Sequence, residues 1–242
     1  MSARAYYDRY WTSDGFNPSA EGPFPELRAV LDEHARAGDA WLDVGCGDGT
    51  RSGLWLHNRG CRYVGADISA TAVEQARAHG LEALVVQDAA ELPFEDDAFA
   101  GVLAVEVLEH VFEPQRAVRE VYRILKPGGV LFVSLPNVAY WRRRMELLLL
   151  GRFDPMGDDL SMQEPWRDPH IRFFTPSTMM RMLTAAGYEA EVHGYAGAFL
   201  ADLPKVGRFF GARQSPLYRW AQARIPDLLG RRIYAVAVKP AL

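Results

Sequence analysis

The sequence predicts an α/β protein: a mostly parallel sheet with helices on both faces and a helical cap beside it. Three observations carry this. Short apolar runs alternate with helical patterns from Trp41 onward, which is the order βαβ units leave in a chain. The runs are almost continuously hydrophobic, as strands are when helices cover both of their faces. A glycine-rich turn, Gly45-Cys46-Gly47-Asp48-Gly49, follows the first run directly, at the edge where open α/β sheets hold ligands.

The elements follow in order. Strands are expected at Ala40–Val44, Tyr63–Asp67, Ala83–Gln87, Ala100–Val105 and Val130–Leu135. Between them, Ser69 is a good N-cap for a helix over Ala70–His79, because its hydroxyl can accept from a free N–H of the first turn. Glu113–Leu125 has apolar residues at helical spacing and is stopped by Lys126-Pro127-Gly128-Gly129. A helix over Pro176–Ala186, with Gly187 as its C-terminal stop, leads into a strand at Tyr188–Gly194. The final strand, Arg232–Lys239, alternates Ile233, Ala235 and Ala237 against Tyr234, Val236 and Val238, which brings the count to seven. Two segments fall outside this alternation, residues 137–172 and 195–230. Both are aromatic-rich and broken by prolines, and both are expected to form a cap that shapes a pocket at the carboxyl edge of the sheet.

Composition narrows the class. With 242 residues, 49% hydrophobic and 24% charged, the chain suits one globular domain, residues 1–242, and excludes fibrous or disordered classes. The apolar stretch Leu147–Leu150 is far short of the ~20 residues a membrane span needs. The N-terminus lacks the apolar core of a secretory signal, so a cytoplasmic location is expected, with Cys46 and Cys61 as free thiols. The formal charge of −4 is unevenly spread: residues 1–136 hold 12 basic and 21 acidic side chains, residues 137–242 hold 15 and 10. So mild a basic excess reads first as a solvated surface.

The glycine turn has specific chemistry. Glycine tolerates positive φ and has no Cβ to block a ligand, and a following helix presents its positive dipole end. A dinucleotide fingerprint is spaced G-x-G-x-x-G, whereas this turn is G-x-G-x-G. Asp43, two residues before the first glycine, would repel a pyrophosphate but can accept from the ammonium of a methionine-type ligand. Asp67 ends the second strand beside the turn and can take both hydroxyls of a ribose; Asp88, after the third strand, can bond an adenine amino group.

Leu42-Asp43-Val44-Gly45-Cys46-Gly47-Asp48-Gly49-Thr50, Gly65-Ala66-Asp67, Leu92-Pro93-Phe94, Val107-Leu108-Glu109-His110-Val111 and Leu125-Lys126-Pro127-Gly128-Gly129 resemble the successive motifs of class I S-adenosylmethionine (SAM) dependent methyltransferases. The resemblance covers roughly residues 40–135 and implies a seven-stranded sheet whose last strand is antiparallel. It also likens Tyr6–Trp11 to a short helix that covers SAM, within an N-terminal helical segment over residues 1–38. The cofactor-binding positions expected on this reading are Tyr7, Trp11, Asp43, Gly45, Cys46, Gly47, Asp67, Ile68, Asp88, Ala89 and Glu106.

After the fourth strand, a first helical turn would put Glu106, Glu109 and His110 on one face. Similar clusters, with a later histidine that here would be His170, bind magnesium in ubiquinone-pathway O-methyltransferases and small-RNA 2′-O-methyltransferases. The resemblance therefore implies a metal set of Glu106, Glu109, His110 and His170. A cation there would lower the pKa of a hydroxyl; without one, His110 or His170 can act as general base. His34, His57, His79 and His193 read as structural. The aromatic residues Tyr140, Trp141, Phe153, Trp166, Phe173, Phe174 and Phe199 suit a small aromatic or apolar acceptor, and Arg142, Arg143 and Arg144 a phosphate or carboxylate, although three consecutive arginines cannot share one helix face. RNA is disfavoured, for want of a broad basic surface. The leading expectation is O-methylation of a small molecule, with N- or C-methylation, a non-catalytic partner of an acyltransferase, and a dinucleotide oxidoreductase as alternatives. A homodimer is left open.

Overall fold

In the computed structural model, which describes residues 2–12, 22–152, 170–195, 220 and 224–241, each predicted strand is present. They are β1 (Ala40–Val44), β2 (Arg62–Asp67), β3 (Glu82–Val85), β4 (Phe99–Val105), β5 (Leu125–Pro136), β6 (Glu189–Tyr195) and β7 (Arg232–Val238). They form one sheet in the order β3-β2-β1-β4-β5-β7-β6. Strands β1 to β5 pair in parallel, and β7 runs antiparallel between β5 and β6. The order reverses beside β1, so the carboxyl ends of β1 and β4 flank the crevice where such sheets bind ligands.

Successive residues of a strand face opposite sides, and both sides are buried, which is why the runs read as unbroken hydrophobicity. On one face Leu42, Val44, Val102 and Val133 pack against Val118 and Val121 of α5 (Pro114–Ile124) and Met179 and Leu183 of α7 (Pro176–Ala185). On the other, Trp41, Leu103 and Phe132 pack against Leu27 and Leu31 of α2 (Pro25–His34) and Leu56 of α3 (Gly53–His57). Close packing leaves no slack at Gly101, where an added Cβ would lie 2.4 Å from the Trp41 ring. Gly101→Ala is therefore expected to lower unfolding stability by about 1–3 kcal/mol, read as a lower urea midpoint with an unchanged slope.

The helix signals are realised by their caps. Ser69 accepts from Ala72 N at 3.2 Å and starts α4 (Ala70–Ala78). Thr175 and Thr178 form a reciprocal capping box at the start of α7, and Gly187 follows that helix with a φ of 100°. At the N-terminus, α1 (Ala3–Thr12) docks on α4: Asp8 accepts from Ser69 Oγ at 2.8 Å and from Thr71 N at 3.3 Å. Of the expected cap, the described parts are α6 (Trp141–Leu150), which buries none of its side chains, and α8 (Pro226–Leu229). Phe153, Trp166 and Phe199 lie outside the described residues, as do residues 153–169 of the first cap segment and most of the second. Among those described, no helix is long and apolar enough to cross a membrane.

Candidate active site

The glycine turn is held from below by β2 and from within by buried polar groups. Gly45 N and Cys46 N both donate to Ala66 O, at 2.7 and 3.2 Å. Gly45 and Gly47 have φ of 70° and 57°, and added Cβ atoms there would meet the Val107 side chain at 2.4 Å and the Trp11 ring at 2.5 Å. Asp67 accepts from Gly47 N at 2.9 Å and from Ser69 N at 2.8 Å, so one carboxylate joins the turn to the start of α4. Burial pushes Asp67 above the usual carboxylate range, while the N–H groups of Ser69 and Gly47 pull it back. Asp43, almost fully buried, accepts from Ser52 Oγ and Tyr63 Oη, and burial pushes its pKa up to about 6. Cys46 is buried and its thiol is pushed well up by burial, so it lines the wall as an inert apolar group.

A cavity of about 710 Å³ opens above this turn, and every cofactor position expected from the sequence borders it. Its volume is within the range of small-molecule and cofactor sites. Tyr7 and Trp11 of α1 contribute one wall, with Trp11 over Gly47. Ile68, Asp88 and Ala89 contribute another. Asp88 caps its own turn by accepting from Ala90 N at 2.8 Å.

The cavity also reaches Glu109, His110 and His170, whose potential ligand atoms all lie within 4.8 Å of one another. Backbone bonds bring His170 there across the sequence: Ile171 N and Arg172 N donate to Glu109 O at 2.9 and 3.0 Å. The Arg172 guanidinium adds bonds to Phe112 O. The two imidazole rings lie 4.8 Å apart, and Tyr7 meets His110 edge-on at 6.0 Å. Glu109 is buried, with His170 Nε2 3.9 Å from Oε1.

Glu106 departs from the expected metal set. The segment after β4 is a 3-10 turn, Leu108–His110, rather than an α-helical one, and Glu106 itself has a φ of 56°. This left-handed kink sends its carboxylate to Ser134 Oγ at 3.1 Å and Arg232 at 3.5 Å instead. Other residues of the cavity were missed by sequence reasoning: Arg51, Tyr10, Arg231 and Arg232. Arg231 and Arg232 carried no local signal, because only the antiparallel insertion of β7 beside β5 brings them to the carboxyl edge. Of the arginine triplet, Arg143 lines the cavity, Arg142 and Arg143 both bind Glu146, and Arg144 donates to Ala139 O.

A family described as "Methyltransferase domain" matches residues 42–133. The ubiquinone biosynthesis O-methyltransferase of Idiomarina loihiensis is 30% identical over 195 residues, covering 76% of each chain. That of Chromobacterium violaceum is 34% identical over 193 residues, covering 74% of this chain and 77% of the relative. The chain belongs to the class I SAM-dependent methyltransferases. Among solved structures, Haemonchus contortus phosphoethanolamine N-methyltransferase 2 in complex with SAM superposes with a TM-score of 0.66 at 17% identity, covering 99% of this chain and 60% of that one. The antiparallel seventh strand expected of such methyltransferases is therefore present in a methyltransferase by descent. The glycine spacing that disfavoured a dinucleotide is explained, and the chain is an enzyme.

Proposed function

We propose that this methyltransferase transfers a methyl group to a hydroxyl oxygen of a small molecule held beside Glu109, His110 and His170, with a divalent cation at those three residues. The convergence of their ligand atoms within 4.8 Å, on the cavity that the glycine turn floors, carries the reading. Gly45, Cys46 and Gly47 would cradle SAM with their backbone at the floor of the cavity, in a turn so tightly packed that a Cβ at either glycine would collide with Val107 or Trp11. Bound SAM supplies an electrophilic methyl on a sulfonium. Asp67 uses two acceptor positions within the protein and retains others, since a carboxylate has about four; these suit two ribose hydroxyls. Ile68 and Ala89 offer apolar contact and Asp88 an acceptor to the base. Helix α1 is tied to α4 through Asp8, and its Tyr7 and Trp11, which border the cavity, would cover the cofactor.

A cation at Glu109, His110 and His170 would bind acceptor oxygens and favour their ionised form, which is why oxygen is preferred over nitrogen or carbon as the acceptor atom. Magnesium takes oxygen ligands, whereas two imidazoles with one carboxylate suit manganese, iron or zinc better. Turnover of catechol with SAM is expected to fall about tenfold or more in EDTA, in line with the cost of disturbing metal sites, and to return with Mn²⁺ more fully than with Mg²⁺. Activity indifferent to EDTA and to Glu109→Gln would remove the cation from the reading.

A further inference from the structure

Arg143, Arg231 and Arg232 border the same cavity as Glu109, His110 and His170. One buried residue fixes the two segments that carry them. Asn137 donates from Nδ2 to the carbonyls of Pro226, Asp227 and Gly230 at 3.2, 3.2 and 2.8 Å, and from its backbone N to Arg231 O at 3.1 Å. Its Oδ1 accepts from Ala139 N at 2.9 Å, and its carbonyl accepts from Tyr140 N at 3.3 Å, one residue before α6 begins. Asn137 thus ends β5 by clamping the approach to β7 against the start of α6, with its amide fully used.

The three guanidinium groups are unequally neutralised. Arg232 faces Glu106 at 3.5 Å. Arg143 lies 3.1 Å from Glu146, a carboxylate it shares with Arg142 at 2.8 Å. The Arg231 side chain pairs with no carboxylate among the described residues. The cavity's carboxylates Asp43, Asp48, Asp67 and Asp88 come from the glycine turn and the ends of β1, β2 and β3, whereas at this end three guanidinium groups are set against two carboxylates, Glu106 and Glu146. The planar fork of arginine matches carboxylate and phosphate oxygens bidentately.

We propose that the acceptor carries an anionic group, a carboxylate or a phosphate monoester, and that Arg231 with Arg143 forms the subsite that recognises it. This rests on the acceptor reading above and narrows it: the hydroxyl to be methylated lies towards Glu109, His110 and His170, and the anionic group towards the junction of α6 and β7. Arg231 is then a specificity-determining residue.

Calorimetry on the full chain saturated with S-adenosylhomocysteine tests this with four probes: benzoate, phenyl phosphate, benzyl alcohol and catechol. At least one of the two anions is expected to bind about tenfold or more tightly than benzyl alcohol, as one charge-assisted bond implies. The better anion names the group. Arg231→Ala should abolish the preference and Arg231→Lys should keep part of it, with the S-adenosylhomocysteine isotherm reporting that each variant is folded. Equal binding of anions and benzyl alcohol, or a preference that survives in both Arg231→Ala and Arg143→Ala, overturns the subsite. Catechol reports on the cation reading separately: an intact anion preference with catechol binding insensitive to EDTA would overturn that reading alone.

Discussion

Asp67→Ala is expected to weaken SAM binding by about a hundredfold or more. On the ribose reading proposed above, two hydroxyl bonds to a charged acceptor would be lost, each worth about 1.5–3 kcal/mol, and about 1.4 kcal/mol is tenfold in affinity. The substitution also leaves the N–H groups of Gly47 and Ser69 without the acceptor that now joins the glycine turn to the start of α4. Asp67→Asn does not rescue this, because its amide would point a donor at one of those two N–H groups. Calorimetric titration with SAM reads the effect, and a thermal melt of the free protein separates loss of the ribose acceptor from loss of fold. Retention of affinity within about threefold, well under one lost charged bond, would sink the assignment of Asp67 to the ribose.

Residues whose roles follow from local backbone chemistry were legible in the sequence. Leu42, Val44, Val102 and Val133 read as strand because both faces are covered; Ser69 and Gly187 read as helix boundaries because capping and positive φ are local events. Gly45 and Gly47 read as a tight turn for the same reason, and both have positive φ. Legibility ended where one residue's conformation depends on distant packing. Glu106 was placed with Glu109 and His110 by helical spacing, but the chain kinks at Glu106, whose partners Ser134 and Arg232 come from β5 and β7. His170 was reached only by family resemblance; its position depends on two backbone bonds to Glu109 O that leave no mark on side-chain pattern. Arg231 was invisible, because its place at the cavity follows from the register of β7 against β5, where Arg232 stands opposite Pro136.

Asp43→Asn is expected to stabilise the free enzyme at neutral pH while weakening its hold on SAM. Burial pushes the Asp43 pKa up to about 6, from an ordinary value of 3.8. The folded protein therefore binds this proton more tightly than the unfolded chain does. Stability from this group is fully present below about 3.8, falls as pH rises between the two values, and is lost above about 6. At pH 7.5 the buried charge costs about 3 kcal/mol, of which nearly half is recovered at pH 5. Asparagine keeps an oxygen for the Ser52 and Tyr63 hydroxyls and turns its new amide to the cavity that Asp43 borders. The advantage of Asp43→Asn over wild type, read by denaturant unfolding, should thus be larger at pH 7.5 than at pH 5, by about 1 kcal/mol. An Asp43→Asn protein less stable than wild type at pH 7.5, or an advantage independent of pH, would show that the carboxylate is not held under strain. On the cofactor reading proposed above, an ionised group beneath the glycine turn would attract the cationic end of SAM, and that attraction would offset the cost of keeping the charge. Stability is commonly sacrificed at sites of this kind, so the same substitution should loosen SAM binding in calorimetry as it raises the melting temperature.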